Sequence, residues 1–273
     1  MKRDPRAVLT RAAVPPDRIV AYGDHPDQIA DLRLPAGPPA GPLVLFFHGG
    51  FWRHAYDRAH VGPLSAALAA HGYPVATVEY RRTGAPGGGW PGTFDDVAAA
   101  VAQVPRLVRG PTSEPAPAPF LLAGHSAGGQ LALWAAAQVP AGGGGGLAGV
   151  LALAPVTDLR RAYQLDLDRG AVAELLGGGP DRFPERYLAA DPTELLPVRT
   201  PIALVHGDED RQVPVAFSRD FAAAARAAGD QVWLRELSGV EHFGLIDPES
   251  AAWPAVLAAL AALTGPRADV DGG

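Results

Sequence analysis

The chain has 273 residues, 48% of them hydrophobic, which is enough to bury the core of one large α/β domain or two small ones. Its net charge of −6 and the lack of any long basic run argue against a nucleic-acid partner or an anionic membrane surface. The absence of cysteine excludes disulfides, thiolate catalysis and cysteine metal sites. No apolar window approaches the roughly 18 residues of a membrane-spanning helix, and no signal-peptide core follows the N-terminus. We therefore expect a cytoplasmic protein without a membrane partner.

Short apolar stretches alternate with helix-forming stretches along the chain, beginning with a predicted hairpin. Alternating apolar residues over 18–23 and 28–34, separated by a turn sequence, predict two antiparallel strands. Further strands are predicted over 43–47, 74–80, 120–123, 147–154, 201–206 and 231–237, with helices over 59–70, 93–107, 131–137, 215–228 and 251–263. This alternation predicts an α/β fold with a mostly parallel eight-stranded sheet and helices on both faces.

The loops suggest one domain with an insertion. We predict a single domain over 18–264, preceded by an N-terminal arm over 1–17 and followed by a disordered tail over 265–273. Glycine- and proline-rich stretches at 110–119 and 142–146 each lie between a strand and a helix, so we interpret them as surface loops. About forty residues precede the strand at 201–206, far more than such a connection needs. Their scattered apolar residues predict a small helical cap insertion at about 159–197.

The segment 124–129 reads Gly-His-Ser-Ala-Gly-Gly and directly follows the apolar run 120–123. A serine on the sharp turn between a buried strand and a helix is a nucleophile elbow, which holds the hydroxyl clear of the backbone. Glycines at 124 and 128 suit this turn, because side chains there would collide with the neighbouring strand or helix. The alternative is an ordinary glycine-rich turn with an incidental serine, but the flanking strand and helix favour the elbow. Ser126 is the candidate nucleophile.

A serine becomes an effective nucleophile when a histidine takes its proton and an acid orients that histidine. Of the eight histidines, His242 lies in the loop after the last predicted strand, and Asp210 lies after the strand before it. Both loops leave the same end of a parallel sheet as the elbow, where ligands of such sheets bind. The order Ser126, Asp210, His242 is the one expected for this architecture. Asp208 and Glu209 remain alternative acids, and Asp158 is a more remote one, because the order alone does not say which residue serves.

The tetrahedral intermediate of acyl transfer carries an oxyanion, which requires fixed hydrogen-bond donors. One predicted donor is the backbone N–H of Ala127, directly after the serine. The others are the N–H groups of Gly50 and Phe51, within His-Gly-Gly-Phe-Trp at 48–52, because adjacent glycines let the backbone approach a substrate oxygen. His48 and His206 each end a predicted strand, and we expect them to brace loops through hydrogen bonds.

Together these motifs resemble those of the α/β-hydrolases that carry His-Gly-Gly-x-Trp, a group that includes serine-type arylformamidases and small carboxylesterases. The resemblance runs from about residue 22 to 263 and includes Tyr-Arg-Arg at 80–82 and His-Gly-x-x-Asp-x-x-Val-Pro at 206–214. In such enzymes the last pattern places the acid at the position of Asp210. The resemblance implies hydrolysis of a short ester or of an N-formyl amide such as N-formylkynurenine, without a cofactor. It does not choose between these two activities.

Three aromatic residues and three other classes of protein complete the sequence-based interpretation. Trp52, Tyr80 and Trp90 are candidates for an aromatic substrate pocket and equally for packing residues. A non-catalytic ligand-binding protein of the same fold is a second hypothesis, which the presence of all three candidate triad residues disfavours. A metal hydrolase finds no support in a His-x-x-x-His or dense His/Asp pattern, and a propeller-gated peptidase finds none in repeated blades. We expect a small-molecule ester or amide substrate and no metal.

Overall fold

Eight strands form one sheet in the computed structural model, which describes residues 4–109, 119–140 and 146–264. The strands are β1 Arg18–Ala21, β2 Ile29–Arg33, β3 Leu43–Phe47, β4 Val75–Val78, β5 Phe120–His125, β6 Leu147–Leu153, β7 Ile202–Gly207 and β8 Val232–Leu237. Their spatial order is β1-β2-β4-β3-β5-β6-β7-β8. β1 pairs antiparallel with β2, and β2 pairs antiparallel with β4. All other neighbours are parallel, which confirms the predicted sheet and its N-terminal hairpin.

Helices cover both faces of this sheet. The α-helices of the described residues are α1 Gly62–Ala70, α2 Gly92–Arg109, α3 Ala127–Gln138, α4 Leu159–Gln164, α5 Ala171–Leu176, α6 Pro184–Ala190, α7 Ala216–Ala227 and α8 Trp253–Ala262. Side chains alternate between the faces of a strand, so neighbours in sequence enter different cores. Leu121 and Leu122 of β5 are both fully buried and belong to separate apolar clusters. The prediction of helices on both faces is confirmed.

The central strand β5 and the helix α3 that follows it are buried along nearly their whole length. Every residue of β5 is buried, and so is every residue of α3 from Ala127 to Ala136. An apolar run without alternation is what a parallel strand covered on both faces requires. The serine turn between β5 and α3 is therefore flanked on both sides by fully buried backbone.

The long connection between β6 and β7 carries α4, α5 and α6 and then a 3-10 helix, Pro192–Leu195. Its buried apolar side chains belong to the same cluster as one face of the sheet. Two side chains of α3 tie it down: Gln130 Nε2 donates to the carbonyl of Ala190, and Trp134 Nε1 donates to that of Ala189, each at 2.9 Å. The predicted insertion is thus helical, and we keep the name cap insertion for residues 159–197.

The described part of the N-terminal arm contacts the rest of the molecule. A 3-10 helix over Pro5–Thr10 buries Val8, and Arg11 Nη2 donates to Asp247 Oδ2 at 3.0 Å, so this part of the arm packs on the body. The predicted tail over 265–273 and nearly all of the predicted loops at 110–119 and 142–146 lie outside the described residues. Among the residues described, no helix is both long and apolar enough to cross a bilayer. The cytoplasmic location stays a prediction.

Replacing Leu122 by alanine should lower the free energy of unfolding by about 2–5 kcal/mol, because a fully buried leucine in the central strand leaves a cavity. Urea unfolding followed by circular dichroism measures the change. Leu34, whose side chain is 44% exposed at the end of β2, is the matched control, and Leu34→Ala should change stability by less than about 1 kcal/mol. Equal losses in the two variants would contradict this account of the core.

Candidate active site

Ser126 occupies a strained turn between β5 and α3. Its backbone has φ 57° and ψ −119°, a conformation that residues other than glycine rarely adopt. A Cβ at Gly124 would lie 2.1 Å from the carbonyl oxygen of Gly128, and one at Gly128 would lie 2.0 Å from that of Phe47. Both glycines are therefore needed for the helix to cross the strands this closely, which is the geometry expected of a nucleophile elbow.

His242 and Asp210 are brought together by the ends of neighbouring strands. Asp210 lies in the loop after β7, and His242 begins a 3-10 helix, His242–Ile246, after β8. His242 Nδ1 lies 2.6 Å from Asp210 Oδ2. A carboxylate only accepts hydrogen bonds, so the hydrogen of the neutral imidazole resides on Nδ1 and Nε2 keeps a free lone pair. This pair has the arrangement of an acid that orients a general base.

Asp210 is held in its ionised form. Its other oxygen, Oδ1, accepts the backbone N–H groups of Gln212 and Val213, both at 2.8 Å. Burial raises the pKa of the Asp210 carboxyl, but hydrogen bonds from His206 and His242 outweigh it and leave the pKa well below its usual value. The Asp210 carboxylate therefore stays charged beside His242 at neutral pH.

The alternative acids at 208 and 209 are exposed to solvent. Asp208 is exposed, and its Oδ1 accepts the N–H of Gly239 at 2.7 Å. Glu209 is exposed as well, whereas the side chain of Asp210 is fully buried. Within the described residues, His242 is therefore bonded to Asp210 and to neither rival.

His206 acts as a brace, as its position at a strand end predicted. Its Nε2 lies 2.9 Å from the carbonyl of Val213 and 3.3 Å from Asp210 Oδ2, and its Nδ1 lies 2.7 Å from Ser218 Oγ. These bonds fasten the loop that carries Asp210 to the first turns of α7. The acid is thus positioned by a second histidine that takes no place in the predicted triad.

His125, the residue before Ser126, packs against His242. No hydrogen bond joins Ser126 to His242 in the part of the chain that the structure describes, but the rings of His125 and His242 lie 4.4 Å apart. His125 Nε2 is 3.1 Å from the carbonyl of His242 and donates to it. Burial lowers the pKa of His125 well below its usual value, so the ring is neutral. Serine-to-base hydrogen bonds often form only when substrate binds, so a structure without a Ser126–His242 hydrogen bond is consistent with this pair acting together.

The segment 48–52, which we call the oxyanion loop, passes beside the serine. Gly50, Phe51 and Trp52 all have positive φ, at 107°, 49° and 58°. A Cβ at Gly49 would lie 3.2 Å from Ser126 Cβ, so the loop backbone directly adjoins the candidate nucleophile. Ala127 is the first residue of α3, where backbone N–H groups have no partner within the helix. The predicted donors Gly50, Phe51 and Ala127 thus belong to the two backbone segments that flank Ser126.

The three aromatic candidates differ in their surroundings. Trp52 is 1% exposed and donates its indole N–H to Gln130 Oε1 at 3.0 Å. Tyr80 is fully buried and donates its hydroxyl to the carbonyl of His48 at 2.8 Å. These contacts favour the packing interpretation for both. Trp90 is partly exposed against Phe94, with ring centroids 5.1 Å apart, and its substrate role stays a prediction.

Arg53, which no sequence motif identifies, ties the oxyanion loop to the cap insertion. Arg53 directly follows the loop; its Nε lies 2.6 Å from Asp168 Oδ2, and its Nη1 lies 2.6 Å from Glu174 Oε2. Its Nη2 also donates to the carbonyl of Asp168 at 2.7 Å. Contacts between residues more than a hundred positions apart leave no motif in a single sequence. The insertion is therefore attached at the edge of the site as well as to α3.

The serine turn at the end of the central strand, within this strand order, makes the molecule an α/β-hydrolase in fold. Among the described residues, no cluster of histidine, aspartate and glutamate side chains could hold a metal ion. The BD-FAE family model matches residues 30–224, and the chain belongs to that family. The match covers the oxyanion loop, Ser126 and Asp210 and ends before His242.

Three known proteins illustrate the similarity. Esterase LipC of Mycobacterium tuberculosis is 31% identical over 254 residues, which cover 84% of this chain and 60% of LipC. The kynurenine formamidase of Danio rerio is 26% identical over 238 residues, covering 84% of this chain and 75% of that enzyme. A truncated carbohydrate esterase from gut microbiota superposes with a TM-score of 0.75 at 19% identity, over 93% of this chain and 99% of the other. The chain thus spans about three fifths of LipC, and the last likeness concerns the fold alone.

Replacing Gly124 by alanine should destabilise the protein strongly, because the new methyl group would lie 2.1 Å from backbone that two buried elements hold in place. We expect a loss of more than about 2 kcal/mol in urea unfolding. Gly37→Ala is the control, since a Cβ there has no atom within 4 Å. If both variants kept the wild-type stability, the tight crossing at the serine turn would be refuted.

Proposed function

We propose that the protein is a serine hydrolase that cleaves short-chain carboxylic esters through an acyl-enzyme intermediate. The observation that carries this proposal is the 2.6 Å contact between His242 Nδ1 and the buried Asp210, beside a serine on a strained turn. A surface histidine would have no need of an ionised acid held by two backbone N–H groups. The name of LipC as an esterase supports the same reaction class.

In the proposed reaction, Ser126 Oγ attacks the substrate carbonyl while His242 Nε2 takes its proton. Asp210 keeps the Nδ1–H of His242 in place and stabilises the imidazolium that forms. His242 then gives the proton to the departing alcohol, and the acyl group stays on Ser126. A water molecule, deprotonated by the same nitrogen, attacks the acyl-enzyme and releases the acid. His242 passes the proton taken from water to Ser126 Oγ as the acid leaves, so the enzyme regains its starting protonation state and one water is consumed per ester.

The negative oxygen of each tetrahedral intermediate would be met by the N–H groups of Gly50, Phe51 and Ala127. Ala127 begins a 12-residue helix, whose N-terminal end carries partial positive charge. The oxyanion loop is held by buried side chains on both sides, so its donors need little reorganisation when charge develops. Fixed donors of this kind contribute more to the rate than to substrate binding.

An arylformamidase is the second candidate, and the similarity to a kynurenine formamidase favours it specifically. The same attack on the carbonyl of an N-formyl group would release an aromatic amine, which His242 would protonate as it leaves. The two activities share all the steps at Ser126 and differ in the leaving group. A rate panel of aryl esters of increasing acyl length, measured beside N-formylkynurenine, separates them. The preferred substrate is the one with the highest kcat/KM.

Replacing Ser126 by alanine should lower the turnover of a short-chain aryl ester on the order of 10³-fold or more, because no other group can form the acyl-enzyme. Initial rates with p-nitrophenyl acetate and butyrate measure the loss. Ser65→Ala removes another buried serine hydroxyl, one that bonds to Val61 and Thr77, and should keep most activity. Retention of most activity by the Ser126 variant would exclude this serine as the nucleophile.

Asp210→Asn should be far more damaging than Asp208→Asn. The asparagine can offer an N–H to His242 and so favour the wrong tautomer, which we expect to lower kcat roughly 10⁴-fold. Asp208 contacts a loop N–H and not the imidazole, so its loss should change kcat less than about ten-fold. Steady-state kinetics of both variants give the comparison. Equal effects would leave Asp210 without its assigned role.

A further inference from the structure

His48, the first residue of the oxyanion loop, faces a hydrogen-bond acceptor at each ring nitrogen. Its Nδ1 lies 2.7 Å from the carbonyl oxygen of Gly49, and its Nε2 lies 2.8 Å from Glu79 Oε1. The His48 side chain is fully buried and that of Glu79 nearly so. Neither a carbonyl nor a carboxylate oxygen can donate, so a neutral ring would point a lone pair at one of them. A buried repulsion of that kind is costly, and hydrogens on both nitrogens remove it.

The surroundings of Glu79 keep its carboxylate ionised. Besides His48, its carboxylate accepts the N–H of Tyr80 at 3.2 Å and that of Arg58 at 3.1 Å. The guanidinium of Arg82 lies 3.2 Å from Oε1, and that of Arg58 lies 3.5 Å from Oε2. Burial raises the pKa of Glu79, but the contacts with His48, Arg82 and the Arg58 N–H outweigh burial and lower the pKa to about 2. Glu79 is therefore an acceptor at every contact.

The other groups against the ring tolerate a positive charge. The Tyr80 ring stacks on His48 with centroids 4.5 Å apart and planes 12° apart, which favours a cation over its face. His60 meets the ring edge-on at 5.6 Å, and burial lowers the pKa of His60 to about 4, so it is neutral. Tyr22 donates its hydroxyl to the backbone carbonyl of Glu79. The positive groups nearby, Arg58 and Arg82, both contact the Glu79 carboxylate.

The hydrogen bond to Gly49 has a direct consequence for the next residue. The Gly49 carbonyl and the Gly50 N–H belong to one trans peptide unit, in which they point in opposite directions. Fixing the carbonyl against His48 therefore fixes the direction of the Gly50 N–H. A cationic donor on the carbonyl also polarises the peptide and makes its N–H a stronger donor.

We propose that His48 carries a hydrogen on both ring nitrogens as an imidazolium, paired with Glu79, and that it orients and polarises the peptide whose Gly50 N–H faces the developing oxyanion. His48 is thus a positioning residue, since it acts through the backbone and does not touch the substrate. The part of this proposal that concerns catalysis rests on the proposed function and on Gly50 as a donor. The charge state of His48 stands independently of both.

Nitrogen-15 NMR of protein labelled in its histidines tests the charge state without any substrate. The His48 signals are identified by their loss in His48→Gln. In the wild type at pH 7 we expect both ring nitrogens to show the shift of a hydrogen-bearing nitrogen. In Glu79→Gln one nitrogen should change to the hydrogen-free type, because the amide can donate to it. A wild-type ring with only one hydrogen would overturn the proposal.

Kinetics of Glu79→Gln test the catalytic consequence. Losing one oxyanion donor typically costs about 10²- to 10³-fold in kcat, so a weakened donor should cost about ten-fold, with KM changed less than about two-fold. Asp31→Asn is the matched control: Asp31 is buried in the same network and bonds to Arg58 Nε at 2.8 Å but not to His48. Its kcat should stay within about two-fold of the wild type.

The outcomes separate the two proposals. Equal losses of kcat in Glu79→Gln and Asp31→Asn, or a change confined to KM, would overturn the positioning role of His48. If the wild type hydrolysed neither esters nor N-formyl amides, the proposed function would fail, and the catalytic role of His48 with it. The NMR measurement would still decide the charge state of His48.

Discussion

The backbone turn at Ser126 is the constraint on which the rest of the structure depends. A serine with φ 57° is held there because β5 and α3 are buried throughout, so neither flank can relax. The two glycines let α3 cross close to the ends of β5 and β3. This crossing places the serine beside the oxyanion loop that leaves β3. The parallel order of β5, β7 and β8 then brings the loops of Asp210 and His242 to the same edge of the sheet.

The buried pairs His242–Asp210 and His48–Glu79 both lie near this turn, and their surroundings give them different chemistry. His242 uses one nitrogen to hold Asp210 and keeps the other free, which suits a group that exchanges a proton. His48 has both nitrogens engaged by acceptors, which suits a fixed charge. In the proposed mechanism the same two residue types therefore serve as a proton carrier in one place and as a brace in the other. The number of acceptors around each ring makes the difference.

Much of the fold was predictable from local pattern. The alternation over 18–34 predicted the hairpin, and uninterrupted apolar runs predicted the buried strands, because each pattern reflects how many faces of a strand are covered. Ser126 followed from a motif whose flanking strand and helix could be recognised. Asp210 followed from a resemblance, since the acidic cluster at 208–210 offers three acids and only the fold buries one of them.

Contacts between distant segments could not be predicted in this way. Glu79 lies 31 positions from His48, and Arg53 lies 115 positions from Asp168. Neither pair belongs to a motif that the sequence alone makes visible. The same limit applies to Trp52 and Tyr80, whose aromatic character fits a pocket wall as well as a core until their hydrogen-bond partners are known. Polar partners of a buried site are chosen by the fold, so sequence pattern reveals the reacting groups before it reveals their supports.

The central claim is that the fold activates Ser126 as a nucleophile. Labelling of the folded protein with a fluorophosphonate, followed by mass spectrometry of the peptides, tests this claim most directly. The account predicts one label per chain on Ser126, formed in the folded protein and lost when urea unfolds it. Folded protein that stays unlabelled, or that carries the label on another residue, would contradict the account and favour a non-catalytic binding protein.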